Sequence, residues 1–152
     1  MTPKKKPVVL VIAEDDDDDY LLAKTAFERA SVTNELHWVK DGSELMDFLL
    51  KRGPYAGRRD DGSPMIILLD LNMPGMDGRE ALKEIKADAS LRRIPIVVMT
   101  TSKAEDDVLK AYDLGVCSYI KKPVDFGELV EAARVLKRYW LELVELCSPG
   151  EA

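Results

Sequence analysis

The sequence predicts an α/β fold in which a parallel sheet carries helices on both faces. Short apolar runs and amphipathic helical stretches alternate five times along the 152 residues, a pattern of repeated strand–helix units. The third apolar run, MIILL, has no inside–outside alternation, as expected of a strand covered on both sides. The apolar runs also stop abruptly at charged or hydroxyl residues, which suits strand ends that open onto a crevice.

Each element follows from local pattern. Residues 8–13 read as a buried strand. The next helix sets Leu22, Ala23, Ala26, Phe27 and Ala30 at helical spacing, with Asp17 or Asp18 as its expected cap and the other aspartates favouring its positive end. Residues 35–39 form the second strand. The helix at 41–51 places Leu45, Phe48 and Leu49 on one face. GPYAGRRDDGSP, 53–64, is rich in Gly, Pro and charge and reads as a long loop. The third strand is 65–69, followed by the tight loop LNMPGMDG and a helix at 79–88 burying Ala81, Leu82 and Ile85. Pro95 introduces the fourth strand, 96–100. A helix at 105–114 ends before Gly115, a suitable C′ residue. The fifth strand is 117–121, and a long final helix runs from 125 to about 146. Right-handed crossovers connect the strands. One domain at 8–147 is expected, with flexible tails at 1–7 and 148–152.

Composition excludes several function classes. With 46% hydrophobic and 33% charged residues the chain reads as an ordinary folded domain. A net charge of −6, without a basic strip, argues against nucleic acid as a partner. No apolar stretch approaches a membrane span, and Lys4 to Lys6 precede too short an apolar run for a secretory signal. A cytoplasmic protein with no membrane partner is expected. Cys117 and Cys147 lack metal-ligand spacing and read most simply as free thiols, with one disulfide as the alternative. His37 alternates with apolar residues, which indicates a structural role; a histidine-based zinc site or a Ser-His-Asp triad would depend on it.

The informative stretch is AEDDDDDY, where Glu14 and five aspartates follow the first strand. Like charges a few ångströms apart repel by about 1 kcal/mol per pair even in water. In parallel sheets the working crevice lies at the strands' carboxyl ends. That edge would collect Glu14 and Asp15 from strand one, Asp70 from strand three, Thr100 from strand four and Lys121 and Lys122 from strand five. Clustered carboxylates suit Mg²⁺, which binds oxygen ligands and phosphate oxygens. Asp70 is then a candidate nucleophile on phosphorus, with the metal, Lys122 and Thr100 neutralising the transferred group. A calcium loop beginning at Asp15 fails, because its sixth position is Tyr20 and its twelfth Ala26.

Together AEDD, LLDLNMPGMDG, IVVMTTS and YIKKP resemble the receiver domain of two-component response regulators, in the same order and over roughly residues 8–145. The resemblance implies a doubly wound, flavodoxin-like (CheY-like) sheet of five strands in order 2-1-3-4-5. It makes Asp70 the phosphoacceptor and Glu14 and Asp15 the acidic metal pair, with Asp15 the direct ligand. Asn72 would offer its backbone carbonyl to Mg²⁺, for which Mn²⁺ would substitute. Thr100 and Lys122 would contact the phosphoryl group, and Tyr119 occupies the switch aromatic position. Asp16 to Asp19 remain loop and cap residues. The implied activity is a switch that catalyses its own phosphorylation and dephosphorylation, not a turnover enzyme. Thr101 departs from the family, many members of which carry Ala or another smaller residue there.

The loop before strand three, the stretch GREALKEIKADASLRRIPIVVMTTSKAEDDV and the terminal YWLELVEL resemble stand-alone regulators paired with bacterial phytochrome histidine kinases. A sensor histidine kinase of phytochrome type is therefore the expected partner. The final helix carries Tyr139, Trp140, Leu143, Val144 and Cys147 beyond the residues that can face the core, which suggests a homodimer. The enzyme alternative is a phosphatase or phosphotransferase of the haloacid dehalogenase type, but the position of its general acid is held by Asn72. A flavin-binding module would need a phosphate-cradling loop where this chain has AEDDDDD.

Overall fold

The computed structural model describes residues 6–58, 62–73, 75–101 and 105–147, so the expected tails fall outside the described residues apart from Lys6 and Pro7. Strands β1 (Val9–Ala13), β2 (Leu36–Val39), β3 (Met65–Leu69), β4 (Ile96–Thr100) and β5 (Ser118–Lys121) form one parallel sheet. Its order is β2-β1-β3-β4-β5. Helices α1 (Asp17–Arg29), α2 (Gly42–Leu50), α3 (Gly78–Ala87), α4 (Glu105–Asp113) and α5 (Phe126–Leu136) connect and follow the strands. The predicted fold and strand order are those observed.

Alternation explains why β3 is apolar throughout. Ile67 and Leu69 join Val11, Val98, Leu45, Phe48, Leu82 and Ile85 in the core on one face. Ile66 and Leu68 join Leu10, Val97, Phe27, Val130 and Ala133 on the other. Every residue of the central strand is buried, so neither face tolerates polarity.

Aspartate side chains start the helices. Asp41, Asp77 and Asp125 accept backbone N–H groups at the starts of α2, α3 and α5. For α1 the cap is Asp16, which accepts the Asp19 N–H at 2.9 Å, not Asp17 or Asp18 as expected. Asp16 is the residue with extended backbone, φ −89° and ψ 122°, and only such a residue can turn its carboxylate back onto the first turn. Gly115 follows α4 with φ 92°, a left-handed conformation suited to glycine.

Two regions depart from the sequence reading. The expected long loop contains a 3₁₀ turn, Gly53–Tyr55, tied down by the Tyr55 hydroxyl to Glu44 at 2.8 Å and by the Arg58 side chain to the Phe48 carbonyl at 2.9 Å. The final helix is not continuous to 146. It is α-helical to Leu136, π-helical over Lys137–Leu143, and extended at Val144. The wider turn keeps Leu141 as well as Trp140 against the core beside Leu136, where a regular helix would carry Leu141 out of phase. Trp140 is thus half-buried and not part of an exposed stripe, and Val144 is also half-buried, whereas Val135, Tyr139 and Leu143 are exposed. At this end of the fold, Arg29, Arg134, Lys137 and Arg138 line a common groove with Glu142. Cys117 and Cys147 are exposed free thiols. No helix among the described residues is long and apolar enough to cross a membrane.

His37 stacks on Phe48 at 4.1 Å and meets the edge of Tyr55 at 5.5 Å. Burial, with nearby Arg58, lowers its pKa from the ordinary 6.5, against the pull of Glu35 and Glu44. The folded state therefore prefers neutral imidazole. The associated stability is present above the unfolded pKa and is lost as pH falls through the folded one. Urea unfolding from about pH 7 to pH 5 should show a steeper loss of stability for the wild type than for His37→Gln. Equal slopes would exclude the His37 contribution.

Candidate functional site

The register delivers four chain segments to one edge of the sheet. Glu14 follows β1, Asp70 follows β3, Thr100 ends β4, and Lys122 follows β5. Glu14, Asp70 and Thr100 are buried polar residues beside the apolar core. Each is extensively hydrogen-bonded, as burial of such groups requires.

Asp70 is held at both oxygens. Its Oδ1 accepts the Thr100 hydroxyl at 2.9 Å and the Asn72 backbone N–H at 3.0 Å. Its Oδ2 receives the Lys122 ammonium at 3.1 Å. The same ammonium donates to Glu14 Oε2 at 2.5 Å and Asp19 Oδ2 at 3.0 Å. One cation therefore joins three carboxylates. Burial pushes the Glu14 carboxyl up to about 7, reinforced by the Asp70 charge, although Lys122 and the Asp16 N–H pull it down. Burial alone would lower the Lys122 pKa, but the surrounding carboxylates outweigh it and raise it above the ordinary lysine value.

Glu14, Asp15 and Asp70 each offer a carboxylate oxygen, and these atoms lie within 4.8 Å of one another. Asp15 is exposed, beside the two buried acids. This all-oxygen set fits a hard divalent cation, and the ammonium already between Glu14 and Asp70 shows that the pocket holds positive charge. Asn72 engages the site through its backbone N–H and through its side-chain amide, which donates to Thr100 Oγ1 at 3.2 Å. Tyr119 is half-buried against the core, and its backbone N–H donates to the Tyr112 hydroxyl at 3.2 Å.

Asp19 corrects the sequence reading, which left it among the loop and cap residues. With Asp16 as cap, Asp19 occupies the third helical position and its carboxylate reaches Lys122. Asp17, by contrast, is exposed and meets Lys40 at 3.6 Å, a weak surface pair. Gly78 is a second residue whose importance the sequence concealed. A Cβ there would lie 2.4 Å from the Asp70 carbonyl oxygen and 2.8 Å from the Leu71 Cα, so α3 can start against the Asp70 backbone only with glycine.

The response regulator receiver domain profile matches residues 10–134. The chain belongs to this family. Its receiver domain is similar to the probable methanogenesis regulatory protein FilR2 of Methanothrix harundinacea, 41% identical over 133 residues, 87% of this chain and 81% of FilR2. Response regulator Rcp1 of Synechocystis is 40% identical over 125 residues, 82% of this chain and 83% of Rcp1. A crystal structure of the Mn²⁺-bound form of Rcp1 has a TM-score of 0.81 at 39% identity, covering 94% of this chain and all of that one. The structure of the phosphorylated cyanobacterial phytochrome response regulator RcpA has a TM-score of 0.83 at 40% identity, covering 91% of this chain and 96% of that one. The haloacid dehalogenase alternative finds no support in these similarities.

Removing the shared ammonium should expose the repulsion it suppresses. Lys122→Ala is expected to lower stability by about 2–3 kcal/mol without divalent metal. Millimolar Mg²⁺ should raise its melting temperature more than the wild type's; equal shifts would contradict this reading of the pocket. Gly78→Ala should cost about 1–3 kcal/mol by chemical denaturation because two backbone segments must separate. A variant as stable as the wild type would show that they separate freely.

Proposed function

We propose that this receiver domain accepts a phosphoryl group on Asp70 from a phosphohistidine of a sensor kinase. The convergence of Lys122 and Thr100 on the two oxygens of Asp70, beside Glu14 and Asp15, carries this reading. A carboxylate oxygen of Asp70 attacks phosphorus. The new O–P bond forms as the P–N bond breaks, and the imidazole leaves with the electron pair. Glu14, Asp15, Asp70 and the Asn72 carbonyl would hold Mg²⁺, which when bound neutralises charge on the transferred group. Lys122 supplies a mobile ammonium by exchanging a carboxylate partner for a phosphoryl oxygen. The Thr100 hydroxyl likewise turns from Asp70 to that group.

The domain is read as a switch that catalyses its own phosphorylation and hydrolysis. Movement of Thr100, followed by Tyr119, would shift the population of surfaces formed by α4, β5 and α5. The similarity to RcpA, described as a phytochrome response regulator, favours a phytochrome-type histidine kinase as donor. The apolar side chains of Tyr139 and Leu143, with Val135, supply a surface for a homodimer; Trp140 and Val144 contribute less because they are half-buried.

Acetyl phosphate with Mg²⁺ should add one phosphoryl group to the wild type, read by intact mass, and none to Asp70→Asn. Native size measured on the same samples should report a dimer. Labelling of Asp70→Asn would move the acceptor elsewhere, and a monomer under both conditions would remove the dimer from the proposal.

A further inference from the structure

We propose that Trp38 is a positioning residue that clamps the acidic segment 14–20 and sets the divalent-metal affinity of the pocket. The inference rests on the metal-dependent reading of that pocket and extends it to a side chain outside it. Trp38 lies on β2, the edge strand beside β1. Its indole N–H donates to the Glu14 carbonyl oxygen at 2.7 Å. Its ring stacks on Tyr20, with centroids 4.1 Å apart and planes 4° from parallel. A single indole therefore fastens both ends of the segment that carries six carboxylates.

Lys40 lies against the clamp. Its ammonium lies 4.7 Å from the Trp38 ring centroid and 3.6 Å from Asp17 in the middle of the segment. The segment needs such fastening because its acids repel one another, most strongly when no cation is bound. Without it, Asp15 would spread outward, although Glu14 is anchored by burial and Asp19 by Lys122. A metal would then have to gather its ligands as it bound. Loss of a group that orients a ligand through a hydrogen bond lowers metal affinity.

Trp38→Phe removes the N–H donor and keeps a ring for Tyr20, while Tyr20→Ala removes the stack and keeps the donor. Mg²⁺ dissociation constants should rise by about three- to tenfold in each, the effect of losing one modest interaction. Far-ultraviolet circular dichroism should remain that of the wild type. Labelling by acetyl phosphate should need more Mg²⁺ but approach the wild-type rate at saturation. In a Trp140→Phe background, the fluorescence of Trp38 should respond to Mg²⁺ with the same midpoint as the stability shift. Unchanged Mg²⁺ affinity in Trp38→Phe, even with lowered stability, would make Trp38 structural and overturn the inference. A wild type without Mg²⁺ affinity would instead overturn the metal-dependent reading itself.

Discussion

The fold's active edge depends on one ammonium among like charges. Glu14, Asp19 and Asp70 all meet Lys122, and two of these acids are buried. Without that cation, their repulsion would oppose closure of the strands that carry them. The ammonium, like the Thr100 hydroxyl, is a partner that can be exchanged without breaking the backbone. The arrangement holds the acids together and leaves the surroundings of Asp70 open to a change of charge.

The parallel sheet makes this concentration possible. Ala13 pairs with Leu69, and Leu69 with Val98, so β1, β3 and β4 place their ends level. β5 is level with β4 through Thr100 and Lys121. Each strand needs only one or two polar residues at its end, because the apolar remainder fixes where that end lies. The buried hydroxyl of Thr100 and the carboxylate of Asp70 satisfy one another within this frame.

What the sequence made legible was what depends on periodicity and order. The uninterrupted run MIILL marked a doubly covered strand, and the strand-end residues Glu14, Asp70, Thr100 and Lys122 identified the edge where they meet. Less legible was anything decided by a side chain's reach. Asp16 and Asp17 look alike in a run of aspartates, and only backbone direction selects Asp16 as cap and turns Asp19 toward Lys122. The π-helical turn at Lys137–Leu143 has no Pro or Gly to announce it; it reflects the packing of Trp140 and Leu141 on the core. The role of Gly78 was hidden for a related reason, since glycine before a helix reads as a turn residue until the Asp70 backbone is found against it.

The groove lined by Arg29, Arg134, Lys137 and Arg138 lies where α1 and α5 finish, at the end of the sheet away from the carboxylates. Overall charge therefore describes this groove poorly, because four cations and the single acid Glu142 line it in a chain of net charge −6. A body so unevenly charged experiences a torque as well as a force in the field of a charged neighbour. At physiological ionic strength that influence extends about 8 Å from the surface, enough to rotate an approaching molecule before any side chains touch. An uneven distribution of charge would thus bias the orientation in which a charged molecule arrives.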